Sequence, residues 1–329
     1  MFSLRSRMLV LLLCVALPVA LMTSAPNSAA QTRLKVVATF SILGDWIANI
    51  AGDKVDLKVL VGRGSDSHTY EPSPADSATL SDADLIFEIG AEFEPWLDAL
   101  IEASGTKAKR IVLTEGLELL PFEGHEHGEE DLHHGGEGNK EEKEKGGDHA
   151  HEHGEFDPHV WHDVSLVMQL VERIYQALIE ADPANRETYA RNFGQYSTAL
   201  SILDGEIMLS VEEIPEERRI LVTTHETFAY FGARYGFKVD SALGVTTEAA
   251  DPSAGEIAEL VERIKASGVP AIFAENVTNP RLMEQIAREA GVKLAPPLFT
   301  DALGEAGSEG ETYLKMMRYN LKTIVEALK

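Results

Sequence analysis

The chain has 329 residues, 44% of them hydrophobic, enough for one large or two ordinary packed domains, which excludes a disordered or collagen-like polymer. Lys plus Arg total 29 against 54 Asp plus Glu, a formal net charge of -25. Such a field repels phosphate backbones and has no basic stripe to release counterions from them, so nucleic-acid binding is excluded and a cationic ligand is favoured.

In chain order, Arg5 and Arg7 precede an apolar run from Met8 to Leu21, and Ser28-Ala29-Ala30 supplies small residues. Residues 1–30 therefore read as an export signal; the run is too short, and too interrupted by Pro18, for a membrane span. Cys14 is the chain's one cysteine. It is a candidate lipidation site, but Leu13 before it is bulkier than such sites usually carry, so cleavage after Ala30 and a free periplasmic protein are expected. The mature chain would then lack thiols, and a metal site would have to use nitrogen and oxygen.

Beyond the signal, β-rich runs at 34–39, 57–61, 85–89 and 110–113 alternate with helical patterns near 42–51, 74–82 and 96–103. Ser73, Pro74 and Asp76 mark the middle helix as cap, first position and capping box. A helix over 164–180 follows, capped by Asp163. Tyr189, Phe193, Tyr196, Leu200, Leu203, Ile207, Val211 and Ile214 then recur at helical spacing, predicting one connector helix over 184–213, about 45 Å long at 1.5 Å per residue. The second half repeats the βα rhythm, with strands at 220–223, 238–242, 271–274 and 293–295 and helices near 228–235, 254–266, 281–290 and 312–328. The expected fold is α/β: two lobes, 31–183 and 214–329, each a parallel sheet flanked by helices, joined by the long rigid helix 184–213.

Residues 123–155 fit no core, for they hold seven of the eleven histidines, twelve acidic residues and eight glycines. The segment reads as a flexible insertion in which His125, His127, His133, His134, His149, His151 and His153 capture zinc loosely. Four histidines remain. His68 follows the 57–61 strand, His225 follows 220–223, and Asp301 follows the last strand region; ligands of open α/β sheets bind at such strand ends. His159 lies just before the helix capped by Asp163. If both lobes present these ends to one cleft, three imidazoles and a carboxylate converge, a donor set suited to tetrahedral Zn²⁺, whereas manganese prefers more oxygen. His162, beside the helix start, reads as a surface or capping residue, with a second-tier donor as the alternative.

The stretches Ser67-His68-Thr69-Tyr70-Glu71-Pro72-Ser73-Pro74-Ala75-Asp76, Asp157-Pro158-His159-Val160-Trp161, Thr224-His225-Glu226-Thr227-Phe228 and Phe299-Thr300-Asp301-Ala302-Leu303-Gly304 resemble the cluster A-I zinc and manganese solute-binding proteins of metal ABC importers. Their order covers nearly the whole mature chain. The resemblance implies a metal enclosed between the lobes by His68, His159, His225 and Asp301, with Zn²⁺ as the transported ligand. It also implies delivery to an ABC transporter membrane permease, by a protein expected to be a monomer and not an enzyme. Histidine rather than glutamate at the third ligand position, here His225, favours zinc in this family over manganese or iron. A zinc hydrolase with Glu226 as base is the rival, but no metalloprotease helix, nucleophile elbow or phosphate loop accompanies the histidines.

Overall fold

A computed structural model describes residues 33–122, 156–243 and 252–329 of the chain. The export segment with Cys14 and the whole 123–155 insertion with its seven histidines lie outside the described residues.

The first half opens with β1 (Leu34–Phe40), whose run of Val, Ala, Thr and Phe is buried toward its end, as a parallel strand covered on both faces should be. Helix α1 (Ser41–Ala51) turns Ile42, Leu43, Trp46, Ile47 and Ile50 inward. Then come β2 (Val55–Val61), α2 (Pro74–Ser81), β3 (Leu85–Glu88), α3 (Leu97–Ser104) and β4 (Lys109–Val112). The four strands form one parallel sheet in the order β2-β1-β3-β4. The order reverses between β1 and β3, which opens a crevice at their carboxyl ends.

Helix α4 (Val164–Ala181) begins where the Asp163 carboxylate accepts the amide protons of Ser165 at 2.7 Å and Leu166 at 3.4 Å. The chain then turns at Asp182, which accepts from Asn185 Nδ2 at 2.6 Å and the Tyr189 hydroxyl at 2.7 Å. A 3-10 turn over Pro183–Asn185 takes up the first two residues expected in the connector, and α5 runs only from Arg186 to Val211. At 26 residues it is about 39 Å long, shorter than expected at both ends.

The second half contains β5 (Ile220–Thr223), α6 (Ala229–Tyr235), β6 (Lys238–Ser241), α7 (Ala254–Ser267), β7 (Ala271–Glu275), α8 (Arg281–Ala290), β8 (Lys293–Leu298) and α9 (Tyr313–Leu328). All of its strand pairs are parallel, but among the described residues they form two pairs, β5-β6 and β7-β8, rather than one continuous sheet. β5 lies beside β7, and Val222 and Ile272 share a small apolar cluster with the inner faces of α7 and α8.

The molecule is thus two α/β lobes joined by α5. The main core does not stop at the lobe boundary, for one continuous cluster takes in Phe40 and Trp46, Tyr196 and Leu203 of α5, and Phe231, Phe273, Leu303 and Tyr313. Among the described residues, no helix is long and apolar enough to cross a membrane.

Candidate metal centre

Four loops bring the expected residues together. His68 sits in the connection from β2 to α2 and His225 just after β5, while Asp301 follows β8. His159 precedes the 3-10 turn Val160–His162 that leads into α4. One donor atom from each lies within 4.8 Å of the others, and all four side chains are buried.

The separations describe a small polyhedron. His68 Nε2 is 3.3 Å from His159 Nε2, and His225 Nε2 is 3.0 Å from Asp301 Oδ2. Asp301 stands 3.8 Å from His68 Nε2 through Oδ2 and 3.8 Å from His159 Nε2 through Oδ1. A tetrahedron with donors about 2.0 to 2.1 Å from its centre has edges of about 3.3 to 3.4 Å. The His68–His159 separation matches that edge, and the carboxylate, which turns Oδ2 toward His225 and His68 and Oδ1 toward His159, stands between about 0.4 Å inside it and about 0.5 Å beyond it. His225 Nε2 and Asp301 Oδ2 are buried facing each other at 3.0 Å and have no other hydrogen-bond partner among the described residues, so a cation would find both of them available.

Two carboxylates, not assigned a role from sequence, orient the rings. Asp157 Oδ1 faces His159 Nδ1 at 2.7 Å and accepts that residue's backbone N–H at 2.8 Å. Glu275, at the end of β7, faces His225 Nδ1 and accepts the His225 backbone N–H at 2.9 Å. A proton held on Nδ1 leaves Nε2 with its lone pair toward the centre, the usual support for a metal-binding imidazole. Glu275 had a signal in the sequence, since it is a charged residue ending the apolar run Ala271-Ile272-Phe273-Ala274. Asp157 stands two residues before His159, but only the fold shows that its carboxylate curls back on the ring.

Burial pushes the His68 pKa down to about 3, against the pull of the Asp301 carboxylate, so the ring is neutral. Burial acts the same way on His225, but Glu275 and Asp301 outweigh it and hold that pKa well above the usual imidazole value. Asp301 is held well below the usual carboxylate range, because His225, His159 and His68 overcome the cost of its burial. Aromatic rings close the site: Phe93 meets His68 edge-on at 5.0 Å and Trp161 meets His159 at 5.2 Å. Trp161 is fixed across the lobes, donating from Nε1 to Thr300 O at 3.0 Å.

His162 is fully buried, which overturns its reading as a surface or capping residue. Its ring lies against Phe228 at 4.4 Å, and its Nε2 is 3.3 Å from Thr227 Oγ1. Thr227 in turn reaches Asp301 Oδ1 at 3.4 Å, so His162 stands one residue behind the four donors.

A two-lobed α/β body enclosing a cluster of imidazole and carboxylate donors is the architecture of a receptor for a small cation. The family profile described as zinc-uptake complex component A, periplasmic (ZnuA) matches residues 36–327, and the chain belongs to that family. It is 34% identical over 327 residues to the manganese ABC transporter substrate-binding lipoprotein PsaA of Streptococcus anginosus, covering 98% of this chain and 97% of PsaA. It is 33% identical to the manganese-binding lipoprotein MntA of Halalkalibacterium halodurans, over 90% of this chain and 88% of MntA. Among solved structures, the periplasmic zinc-binding protein TroA from Treponema pallidum superposes with a TM-score of 0.77 at 30% identity, covering 90% of this chain and 99% of TroA. An Mn-bound periplasmic metal-binding protein from Candidatus Liberibacter asiaticus superposes with a TM-score of 0.73 at 26% identity, covering 90% of this chain and all of that one.

The protein is therefore the extracytoplasmic substrate-binding component of a metal ABC transporter, a receptor that binds a divalent metal ion and works with a membrane permease. It is not an enzyme. PsaA and MntA are lipoproteins by name, whereas the TroA and Liberibacter structures are of proteins described as periplasmic.

Proposed function

We propose that the receptor captures Zn²⁺ through His68, His159, His225 and Asp301 and hands it to the permease, with 31–183 and 214–329 as lobes and 184–213 as their connector. The reading is carried by His225: it supplies a third imidazole where the donor polyhedron has edges of 3.0 to 3.8 Å. Three imidazole nitrogens and a single carboxylate suit Zn²⁺, whereas Mn²⁺ favours carboxylate, carbonyl and water oxygens. A manganese receptor is the second reading, favoured by the names of PsaA and MntA. Competition between Zn²⁺ and Mn²⁺ for a protein lacking residues 123–155 separates them. Retention of one Zn²⁺ per chain is expected; preferential retention of Mn²⁺ overturns the zinc reading.

The seven histidines of 123–155 would act as weak outer sites. His153 is six residues before His159, so the connection spans at most about 22 Å and keeps the segment's end near the centre. Ordering each of its residues costs about 1 to 2 kcal/mol, which makes coordination there weaker than at donors already fixed by the fold. Deleting the segment should remove the weaker calorimetric events and leave the tight one. Loss of the tight event would assign the roles the other way.

The lipid anchor, if the chain carries one as PsaA and MntA do, has to be on Cys14, its sole cysteine. Fatty-acid labelling of the native protein and of Cys14→Ser tests this. Label lost in the variant is expected, and an unlabelled native protein would overturn lipidation at Cys14.

A further inference from the structure

We propose that Glu94 is a positioning residue for the metal centre: by closing the turn that precedes it, it sets Phe93 against His68 and so orients that imidazole without touching it. The inference rests on the four-donor reading above and concerns the one ring of the three that no carboxylate supports from behind.

The three rings are not held alike. Asp157 faces His159 Nδ1 and Glu275 faces His225 Nδ1. Among the described residues, the carboxylate that meets the His68 ring is Asp301, at Nε2, on the side of the donors. The His68 backbone N–H donates to Asp66 Oδ1 at 2.8 Å, a bond that leaves the side-chain torsions to packing. That packing comes from Phe93, whose ring meets His68 at 5.0 Å and 86°. Phe93 is wedged in turn against Phe40 at 4.9 Å and Trp161 at 4.7 Å.

The backbone that delivers Phe93 is strained. Phe93 N donates to Gly90 O at 3.1 Å, closing a turn whose central residues, Ala91 at φ 50° and Glu92 at φ 61°, are both left-handed. Such turns ordinarily take glycine, asparagine or aspartate, because a Cβ at positive φ crowds the backbone. With alanine and glutamate there, the surroundings must impose the conformation. Glu94 supplies the constraint. Its Oε1 accepts from Ile89 N at 2.9 Å and Thr39 Oγ1 at 2.7 Å, and its Oε2 accepts from Gly90 N at 3.1 Å. One buried carboxylate thus ties the residue after Phe93 to the two amides before the left-handed pair, while Glu92 at the tip stays exposed. If the turn relaxed, Phe93 would lose its place and His68 would sample rotamers that aim Nε2 away from the centre. Metal binding would then have to order the ring as well as occupy it.

Zn²⁺ affinity, measured by competition with a chromophoric chelator at pH 8, tests this; that pH lies above the value of about 7 to which burial raises the Glu94 carboxyl. Glu94→Gln keeps one accepting oxygen but gives up the other, and should weaken Zn²⁺ about tenfold, the scale common for residues that support metal ligands. Phe93→Leu should also weaken it, and adding Glu94→Gln to Phe93→Leu should cause no further loss, because the route to His68 is already cut. In metal-free protein, the His68 ring signals in NMR, assigned by their absence from His68→Ala, should broaden in Glu94→Gln while those of His159 and His225 persist. Native affinity in Glu94→Gln or in Phe93→Leu overturns the proposal, as does a full further loss in the double variant or an equal broadening of all three rings. Should Glu94→Gln not fold, Thr39→Val, which removes one of the three donors to the carboxylate, replaces it in the same comparisons with a smaller loss expected, and native affinity there overturns the proposal. His68→Ala binding Zn²⁺ as tightly as native overturns the four-donor reading itself, whereas weak binding by His68→Ala beside native binding by Glu94→Gln overturns only the role of Glu94.

Discussion

At the scale of single residues, the rings of the centre differ in what metal binding asks of them. His68 is already neutral because burial has removed its proton, so its coordination releases none near neutral pH. His225 lies between Glu275 and Asp301, which hold a proton on it until a cation replaces that charge. A metal binds only the deprotonated Nε2, so affinity must fall as pH drops below the raised pKa of the metal-free ring, about tenfold per pH unit for one proton. Calorimetry at pH 7 in buffers of different ionisation enthalpy should show at least one proton released per ion. No proton release would contradict the charge state of His225. Glu275→Gln removes one of the two negative charges and leaves a single acceptor oxygen for the His225 backbone N–H and ring that Glu275 serves with two, so it should lower both the proton count and the affinity, the latter by about ten- to a hundredfold.

At the scale of elements, the helices were legible wherever caps and apolar spacing agreed. Ser73 and Asp76 frame α2 as expected, and Asp76 Oδ2 also accepts from the Tyr70 hydroxyl at 2.9 Å, tying the loop after His68 to the helix start. The ends of α5 were less legible: the apolar spacing runs on to Ile214, past the stop at Val211, and at the start Asp182 captures Asn185 and Tyr189, so that a 3-10 turn follows it before the helix begins at Arg186. The breadth of a sheet is not written in strand composition either, since pairing partners are set by packing; hence the two pairs in the second half. His162 was misread for a similar reason: Thr227 and Phe228, which bury it, are remote in sequence. Contacts between elements carry consequences of their own. Asp204 on α5 accepts from Arg234 Nη2 at 2.6 Å and from the Tyr235 hydroxyl at 2.8 Å, pinning α6 to the connector. Asp204→Ala would leave a mostly buried hydroxyl and a partly buried guanidinium without this acceptor, and should cost about 2 kcal/mol. Denaturant titration checks it: the midpoint should fall with an unchanged slope, and an unmoved midpoint would mean that α6 is held by its apolar face alone.

At the scale of the whole molecule, the two lobes behave as one body because their contacts continue past the metal centre. Arg63 Nη1 donates to Gly304 O at 2.7 Å and Glu311 O at 2.6 Å, and Gly64 N donates to Leu303 O at 2.9 Å. Leu303 N returns a bond to Ser41 Oγ at 3.0 Å, and the Tyr313 hydroxyl donates to Trp161 O at 2.8 Å. Asp45 on α1 accepts from Tyr313 N at the start of α9 at 3.1 Å. Burial pushes the pKa of this carboxylate up to about 6, although the Tyr313 amide and Arg63 favour its charge. The apolar core is likewise continuous through α5. Lobes sharing a core and this set of bonds should unfold together, so metal-free protein is expected to melt in one transition. A metal bound by donors from both lobes then stabilises the whole, by about 4 kcal/mol at a free concentration a thousand times its dissociation constant. For a chain of this size that corresponds to a rise in Tm on the order of 10 °C. Scanning calorimetry of metal-free and Zn²⁺-loaded protein should show one peak in each, shifted upward by zinc and returned by a chelator. Two peaks, of which zinc moves only one, would mean that one lobe holds the ion without the other.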